Sequence, residues 1–149
     1  MKPVLQALVL AEHVYQDVSG KKIIAGTFNR IRFSRKQPVQ EVTLPDGTKK
    51  TIVPGGVHGG SPFAYISLTD VVDGTKLTLQ FVNLEKNVTL LGTDVVVNCP
   101  DRLSSVELVV PLPPLPVQEA GSYALEVVCE GEIVGSHRIN AEEVDLGPS

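Results

Sequence analysis

The sequence predicts an all-β protein: an antiparallel two-sheet β-sandwich, C2-like or immunoglobulin-like, with an inserted polar β-hairpin. Apolar and polar residues alternate along many segments, most clearly at residues 121–140, where Tyr123 and Leu125 alternate with small or charged side chains. A period of two places successive side chains on opposite faces of a strand. No segment repeats apolar residues at helical spacing between capping residues, so no long helix is expected. A barrel is the alternative arrangement of the same strands.

The composition fits one domain with a core of ordinary size. The chain has 149 residues, of which 42% are hydrophobic and 20% are charged. A chain of this length buries roughly two-thirds of the surface that it exposes when unfolded. The 11 prolines, the 13 glycines and the absence of Trp favour many short strands and turns. We expect a single domain over residues 1–141 and a short disordered tail at residues 142–149.

The strands of the sandwich follow from the alternation. They are expected at residues 4–14, 21–33, 62–70, 75–84, 88–99, 103–112, 122–130 and 132–141. The first strand is apolar on both faces, through residues that include Leu8, Val9 and Leu10. Such a strand is expected in the middle of a sheet, because both of its faces need cover. Two sheets packed face to face bury the apolar rows of all these strands.

Turn residues separate the predicted strands. Asp-Gly pairs occupy residues 46–47 and 73–74, and a Glu-Gly pair occupies residues 130–131. Each pair lies between extended segments, where glycine accepts the positive φ that tight hairpins require.

An inserted hairpin is expected at residues 39–53, whose two short strands are polar on both faces. A two-stranded ribbon is marginally stable alone in water, so it needs support from another surface. The hairpin is therefore a candidate element for self-association or partner contact, with Glu41, Lys49 and Lys50 fixing the register. The alternative is a mobile surface flap tethered by the glycine-rich residues 55–60.

The possible soft metal ligands are scattered along the chain. They are His13, His58, His137, Cys99 and Cys129, and none are paired at the short spacing typical of zinc ligands. We therefore expect no metal site and no required metal. Each cysteine ends a row of apolar residues, so both are expected to be buried free thiols.

Two other features have structural explanations. His137 shares a predicted face with Ile133 and Ile139, so it is expected to pack at the rim of the core. Residues 111–116, PLPPLP, have the spacing of a proline-rich ligand but lack a flanking Arg or Lys. We expect them to form a stiff, extended crossing between strands.

Asp70, Asp73 and Asp94 are the candidates for a calcium cluster, since C2-type sandwiches bind calcium through loop aspartates. Their spacing lacks the dense alternating acids of an ion-binding loop. A turn at residues 73–74 is the preferred interpretation.

Arg30, Arg32, Arg35 and Lys36 form a basic patch around Phe33. Arg30 and Arg32 are expected on one face of a strand, as in a nucleic-acid-binding sheet. One aromatic ring is a thin stacking platform, however, and the chain is acidic, with a pI near 5.3. Nucleic acid is therefore not expected as a partner.

The residue patterns at 20–31, 61–71, 77–85 and 106–139 resemble those of a family of uncharacterised bacterial proteins. The shared features are an early "GKKIIAGTF" strand, a "PFAYISLTD" strand and a closing hairpin that begins "LPPLP". The resemblance covers most of the chain outside residues 35–60, where the polar hairpin is inserted. It implies a single β-sandwich and brings no activity, cofactor or site residue.

The cytoplasm is the expected location. The N-terminal apolar run is interrupted by Gln6, lacks a small-residue cleavage site and continues into Glu12, so a secretory signal is not expected. Two cysteines alone fit a reducing compartment. No run approaches the ~18 apolar residues of a membrane span, so a membrane is not expected as a partner.

The sequence contains no nucleophile elbow, no paired-carboxylate site and no dinucleotide fingerprint. No catalytic, cofactor-binding or metal-binding residue is assigned, and no cofactor is expected. We expect a non-enzymatic binding or assembly module that holds a protein partner or self-associates. The alternative is a small enzyme or ligand-binding protein whose site is built from separate loops.

Overall fold

The computed structural model describes residues 2–33, 40–43, 45–47, 49–52, 62–117 and 119–144. These residues form eleven β-strands and no helix. The described residues thus include no helix of the length and apolarity that a bilayer span needs. In chain order the strands are β1 (Val4–Gln16), β2 (Lys22–Thr27), β3 (Arg30–Phe33), β4 (Gln40–Thr43), β5 (Lys49–Ile52), β6 (Phe63–Thr69), β7 (Thr75–Asn83), β8 (Val88–Val97), β9 (Val106–Pro111), β10 (Gly121–Cys129) and β11 (Glu132–Glu143).

Nine of the strands form two sheets that pack as a sandwich, and the predicted all-β architecture is confirmed. The four-stranded sheet has the order β2-β1-β6-β9 and is antiparallel throughout. The five-stranded sheet has the order β3-β11-β10-β7-β8. In that sheet β3 runs parallel to β11, so the prediction of purely antiparallel sheets is wrong for this pair. A hairpin would force an antiparallel pair, but β3 enters this sheet by crossing from the other one.

Strand β1 lies inside the four-stranded sheet, as its apolar character on both faces predicts. Its first half pairs with β6 and its second half with β2. Its inward side chains, Leu8 and Leu10 among them, pack against the core between the sheets.

The predicted strand at residues 21–33 is two strands that belong to different sheets. Gly26 has a φ of +75°, and the chain leaves the four-stranded sheet just after it. The Phe28 N–H donates to the Leu10 carbonyl at 3.3 Å, whereas the Asn29 carbonyl accepts the Asn140 N–H of β11 at 2.9 Å. The two neighbouring residues are therefore bonded to different sheets, and the strand has to break between them.

The core fills the space between the sheets in two clusters. One is centred on Phe81 and Tyr123 and the other on Leu79 and Val127. Strands β1 and β11 approach closely at Gly135, where an added Cβ would lie 1.9 Å from Leu5 Cδ2. A glycine there lets the leucine side chain pack directly on the backbone of the opposite sheet.

Tyr123 joins the core to the segment that precedes β10. Its ring stacks on Phe81 with a centroid distance of 5.4 Å and an interplanar angle of 7°. Its hydroxyl donates to the Glu119 carbonyl at 2.8 Å. Burial, which disfavours the phenolate, raises the pKa of Tyr123.

The turns lie where the sequence predicts them, although one has a different role. Glu130 and Gly131 both have positive φ, as a type I′ hairpin turn requires. Gly74 also has positive φ, and Thr75 N–H bonds the Val72 carbonyl at 3.0 Å. That turn is not a hairpin, because β6 and β7 belong to different sheets.

The remaining connections agree in outline with expectation. Residues 112–117 run without regular structure from β9 to β10, and Leu112 and Leu115 are buried in the core. Strands β4 and β5 form the expected two-stranded hairpin as a separate sheet. Strand β11 continues to Glu143, beyond the predicted end at residue 141, because β3 pairs with its last residues. Residues 145–149 of the expected tail lie outside the described residues.

Replacing Tyr123 by Phe removes the hydroxyl that bonds the Glu119 carbonyl while keeping the stacked ring. We expect Tyr123→Phe to lower the free energy of unfolding by about 1–3 kcal/mol, the cost of losing a part-buried hydrogen bond. Chemical denaturation measures this change. Tyr15→Phe is the control, since Tyr15 is exposed and its replacement is expected to change stability by less than about 0.5 kcal/mol. Equal effects of the two substitutions would show that the hydroxyl bond does not stabilise the fold.

Candidate functional site

The outer face of the four-stranded sheet is the surface that faces away from the core. Residues paired across an antiparallel ladder point to the same side of the sheet. Leu8 with Ile66 and Leu10 with Ala64 point inward, so the alternate residues point outward. From β1, β2, β6 and β9 the outward row comprises Val4, Ala7, Val9, Ala11, His13, Tyr15, Ile23, Ala25, Thr27, Phe63, Tyr65, Ser67, Thr69, Glu107, Val109 and Pro111.

This outer face is mainly apolar and partly open to solvent. Val9, Tyr65 and Val109 lie side by side in register on three neighbouring strands, and all three are half-buried. At the far end, Tyr15 is 53% exposed and pairs with Ile23, which is 49% exposed. A sandwich sheet normally turns polar residues to the solvent, so an outward apolar row is unusual.

The outer face of the five-stranded sheet carries more polar side chains. Lys76 and Asp94 form an ion pair there at 3.2 Å. The Gln80 amide donates to the Glu126 carboxylate at 2.8 Å, in the middle of the sheet. These polar pairs lie beside two exposed apolar residues, Val96 and Ile133, so this face is mixed, whereas the outer face of the four-stranded sheet is mainly apolar.

A polar pair lies within the apolar face. The Tyr65 hydroxyl donates to the Glu107 carboxylate on the neighbouring strand. This hydrogen bond, with burial as a second cause, raises the pKa of Tyr65 above its ordinary value. The bond holds the ring against the sheet, so the aromatic surface beside Val9 and Val109 has a fixed position.

A second aromatic group extends the apolar face along the β1–β2 hairpin. The rings of His13 and Tyr15 stack with centroids 5.7 Å apart and an interplanar angle of 18°. Both project from the second half of β1, which runs past the end of β6 and pairs only with β2. The scattered His13 of the sequence thus belongs to this outer face.

A cleft of ≈ 480 Å³ lies at one end of the five-stranded sheet, between the turns at residues 73–74 and 130–131. Lys76 and Thr78 line it, and both bind Asp94, the hydroxyl of Thr78 at 2.8 Å. These two bonds lower the pKa of Asp94. Lys76 and Thr78 are therefore held by Asp94 on the neighbouring strand.

The candidate calcium ligands have separate structural partners. The Asp73 carboxylate accepts the Cys99 N–H at 2.7 Å and so closes the turn before β7. Asp94 belongs to the ion pair of β7 and β8, and Asp70 has a φ of +56° at the end of β6. Within the described ranges, no three His, Cys, Asp or Glu side chains are grouped as metal ligands.

The basic patch is partly neutralised. Arg30 and Arg32 lie on one side of β3, as predicted, and both reach the Glu142 carboxylate of β11, at 3.4 and 4.0 Å. Arg35 and Lys36 lie outside the described residues.

His137 packs between the sheets, where its Nε2 lies 2.9 Å from the carbonyl oxygen of Phe28. Ile139 shares its inward face, but Ile133 does not. Ile133 is 57% exposed, because an extra residue in β11 between Ile133 and Gly135 shifts the register. The predicted grouping of His137 with Ile133 is therefore wrong.

Cys99 and Cys129 are free and buried in one core cluster. Both thiols therefore act as small core side chains, as the sequence predicts. His58 lies outside the described residues.

Comparison with known proteins finds no matching family model and no similar curated protein. The fold and the two outer faces are therefore the basis for the function proposed below.

Sequence reasoning did not identify the outer face of the four-stranded sheet. One signal was present, since β1 is apolar on both rows, but it indicated only a central strand. Tyr65 and Val109 join that row through pairings between distant parts of the chain.

The Tyr65–Glu107 bond has a measurable titration. The pKa of Tyr65 in the folded protein lies above its value in the unfolded chain, which is about 10. The Tyr65–Glu107 bond therefore stabilises the fold below pH ~10, and this stabilisation is lost as the pH rises through the folded-state pKa. Phenolate absorbance follows the titration of all tyrosines, and subtracting the curve of Tyr65→Phe from the wild-type curve leaves the titration step of Tyr65 alone. We expect the step above pH 10 in the wild type and at lower pH in Glu107→Gln. An unchanged step in Glu107→Gln would contradict the assigned bond.

Proposed function

We propose that this protein is a non-enzymatic binding module that holds a partner protein on the outer face of the four-stranded sheet. The observation that carries the proposal is the outward apolar row, in which Val9, Tyr65 and Val109 lie in register. Contiguous apolar surface rimmed by polar residues is typical of interaction sites on soluble proteins.

The chemistry of the face fits a protein partner. Tyrosine is enriched in protein interfaces because its ring is apolar and rigid while its hydroxyl still forms a hydrogen bond. Tyr65 and Tyr15 both provide such rings on this face. Burying apolar area contributes about 25 cal/mol per Å², so a partner that covers this row gains affinity there.

We further propose that the sandwich is immunoglobulin-like. Two features support this type: β3 runs parallel to the last strand, and the Tyr123 hydroxyl near the start of the penultimate strand bonds back to the Glu119 carbonyl. The second feature has the geometry of a tyrosine corner. Immunoglobulin-like domains have no shared chemistry, so the type itself favours no particular reaction.

The alternative, a small enzyme, has less support. An active site usually gathers polar groups that point into a cavity and have perturbed pKa values. In the ≈ 480 Å³ cleft the polar side chains Lys76 and Thr78 instead bind Asp94 on the adjacent strand. They stabilise the pairing of β7 with β8 through Asp94, which is not among the residues that line the cleft.

Charge and cysteine chemistry support the remaining parts of the proposal. Arg30 and Arg32 share the Glu142 carboxylate, and the chain has a net charge of −4, which favours a protein over a nucleic acid as partner. The two free thiols fit a reducing compartment, so we propose a cytoplasmic location. The role of the hairpin of β4 and β5 in partner contact stays a prediction.

Affinity capture from extracts of the source organism tests the proposed face. Val109→Arg places a charge on the edge strand of the apolar face, where a bound partner would have to desolvate it. We expect the recovery of the proteins captured by the wild type to fall about tenfold or more with Val109→Arg, because burying an unpaired charge in an interface costs above about 1.4 kcal/mol.

Ile133→Arg is the matched control, since Ile133 is an exposed apolar residue of β11 in the five-stranded sheet. It should capture the same proteins as the wild type. Equal capture by wild type and Val109→Arg, or loss with Ile133→Arg alone, would exclude the proposed face. Thermal melts of both variants test whether each one is folded.

A further inference from the structure

We propose that two copies of this chain associate through β8, whose outer edges, beside which no described strand lies, pair antiparallel across a twofold axis at Thr93. The pairing would join the five-stranded sheets of both copies into one continuous sheet of ten strands, five from each copy. This inference is independent of the proposed binding face, because it concerns the edge of the other sheet.

The other sheet edges are short or interrupted. Strand β3 has four residues and carries Arg30 and Arg32. Strand β9 ends at Pro111, which has no N–H to donate. Strand β2 contains Gly26 in a positive φ conformation that breaks regular extension. Charges, prolines and irregular backbone are the devices by which proteins prevent edge pairing.

Strand β8 lacks most of these devices. It has ten residues, VTLLGTDVVV, with neither proline nor lysine, and its side away from β7 carries no strand among the described residues. Val96 is 58% exposed and Leu90 is 38% exposed. The one charged residue, Asp94, is held within its own copy by Lys76 at 3.2 Å and by the Thr78 hydroxyl at 2.8 Å. Its charge is thereby partly balanced within its own copy, and only a register that sets two Asp94 carboxylates side by side makes it repulsive.

The sequence of β8 is self-complementary about Thr93. In an antiparallel pair related by a twofold axis, a residue a given number of positions before the axis faces the residue the same number of positions after it in the other copy. Facing residues lie on the same side of the sheet. An axis at Thr93 places Asp94 opposite Gly92 and Val96 opposite Leu90 of the second copy. The glycine leaves room for the Asp94–Lys76 pair, while the two apolar residues cover each other.

Neighbouring registers are less favourable. An axis at Asp94 would place the two Asp94 carboxylates opposite each other, where like charges are destabilising. An axis at Val95 would place Asp94 opposite Val96. Leu90 is an extra residue of β8 that shifts its register against β7. The regular part of the β8 edge therefore ends at Leu90, which is also the last residue of the pairing centred on Thr93.

The symmetry of the pairing has a consequence for binding. A twofold axis perpendicular to the joined sheet keeps both four-stranded sheets on the same side of it. Both apolar outer faces would then point in the same direction. If the proposed function holds, the dimer presents two copies of its binding face to one partner surface, and the two contacts reinforce each other.

Sedimentation velocity over a wide concentration range tests the pairing with the full chain. We expect the wild type to reach a mass near twice the 16.0 kDa of one chain. Val96→Lys should weaken the dimer about tenfold or more, since an edge lysine must lose its hydration on pairing. The double variant Leu90→Glu with Val96→Lys should restore the dimer, because each new lysine faces a new glutamate of the other copy.

Ile133→Lys is the matched control, because Ile133 and Val96 are 57% and 58% exposed. It should sediment like the wild type. Thermal melts check folding, which matters because Lys76 is the register partner of Val96. A monomeric wild type, a dimeric Val96→Lys, or a double variant that fails to associate would overturn the proposal.

Cysteine crosslinking gives a readout that does not depend on weakening the dimer. On the axis, the two Thr93 Cα atoms would lie about 4.5–5.5 Å apart, within reach of a disulfide. Thr93→Cys should therefore form a covalent dimer on mild oxidation, whereas Ile133→Cys should not. The native thiols are buried and should not interfere. No crosslink at Thr93→Cys, or an equal crosslink at Ile133→Cys, would also contradict the pairing.

Discussion

Strand β1 carries apolar side chains on both rows, and a sheet can bury only one of those rows in the core between the sheets. The inward row, with Leu8 and Leu10, packs against the five-stranded sheet and holds the sandwich together. The outward row, with Val9 and Tyr15, is left on the surface of the molecule. Because β6 and β9 add Tyr65 and Val109 to this row, the same strand that builds the core also builds the candidate binding face.

The outer faces of the two sheets differ in their side-chain chemistry. On the five-stranded sheet, Lys76 with Asp94 and Gln80 with Glu126 form polar pairs across neighbouring strands. Such pairs are internally matched and fix the strand register. On the four-stranded sheet the Tyr65–Glu107 pair lies within apolar surface, where it fixes one ring. The four-stranded sheet thus presents the larger apolar surface, and the five-stranded sheet ends in the long edge of β8, beside which no described strand lies.

Local patterns predict most of the strands but not the points where the chain changes sheet. The segment 21–33 is continuous in its propensity, and its break after Gly26 depends on hydrogen bonds to Leu10 and Asn140, which are distant in the sequence. The register shift near Ile133 is likewise invisible in the alternation, so its face was assigned wrongly. The outer face of the four-stranded sheet is not predicted from the sequence for the same reason: its members come from four strands, and only their pairing brings them together.

The central claim is that a partner covers the outer face of the four-stranded sheet. Methyl NMR spectra of the protein with selectively labelled Val and Ile, recorded with and without the captured partner, test it most directly. The account predicts changed resonances for Val9 and Val109 and unchanged resonances for Val128 and Ile133, which lie on the other sheet. Changes confined to Val128 and Ile133, with Val9 and Val109 unaffected, would contradict it.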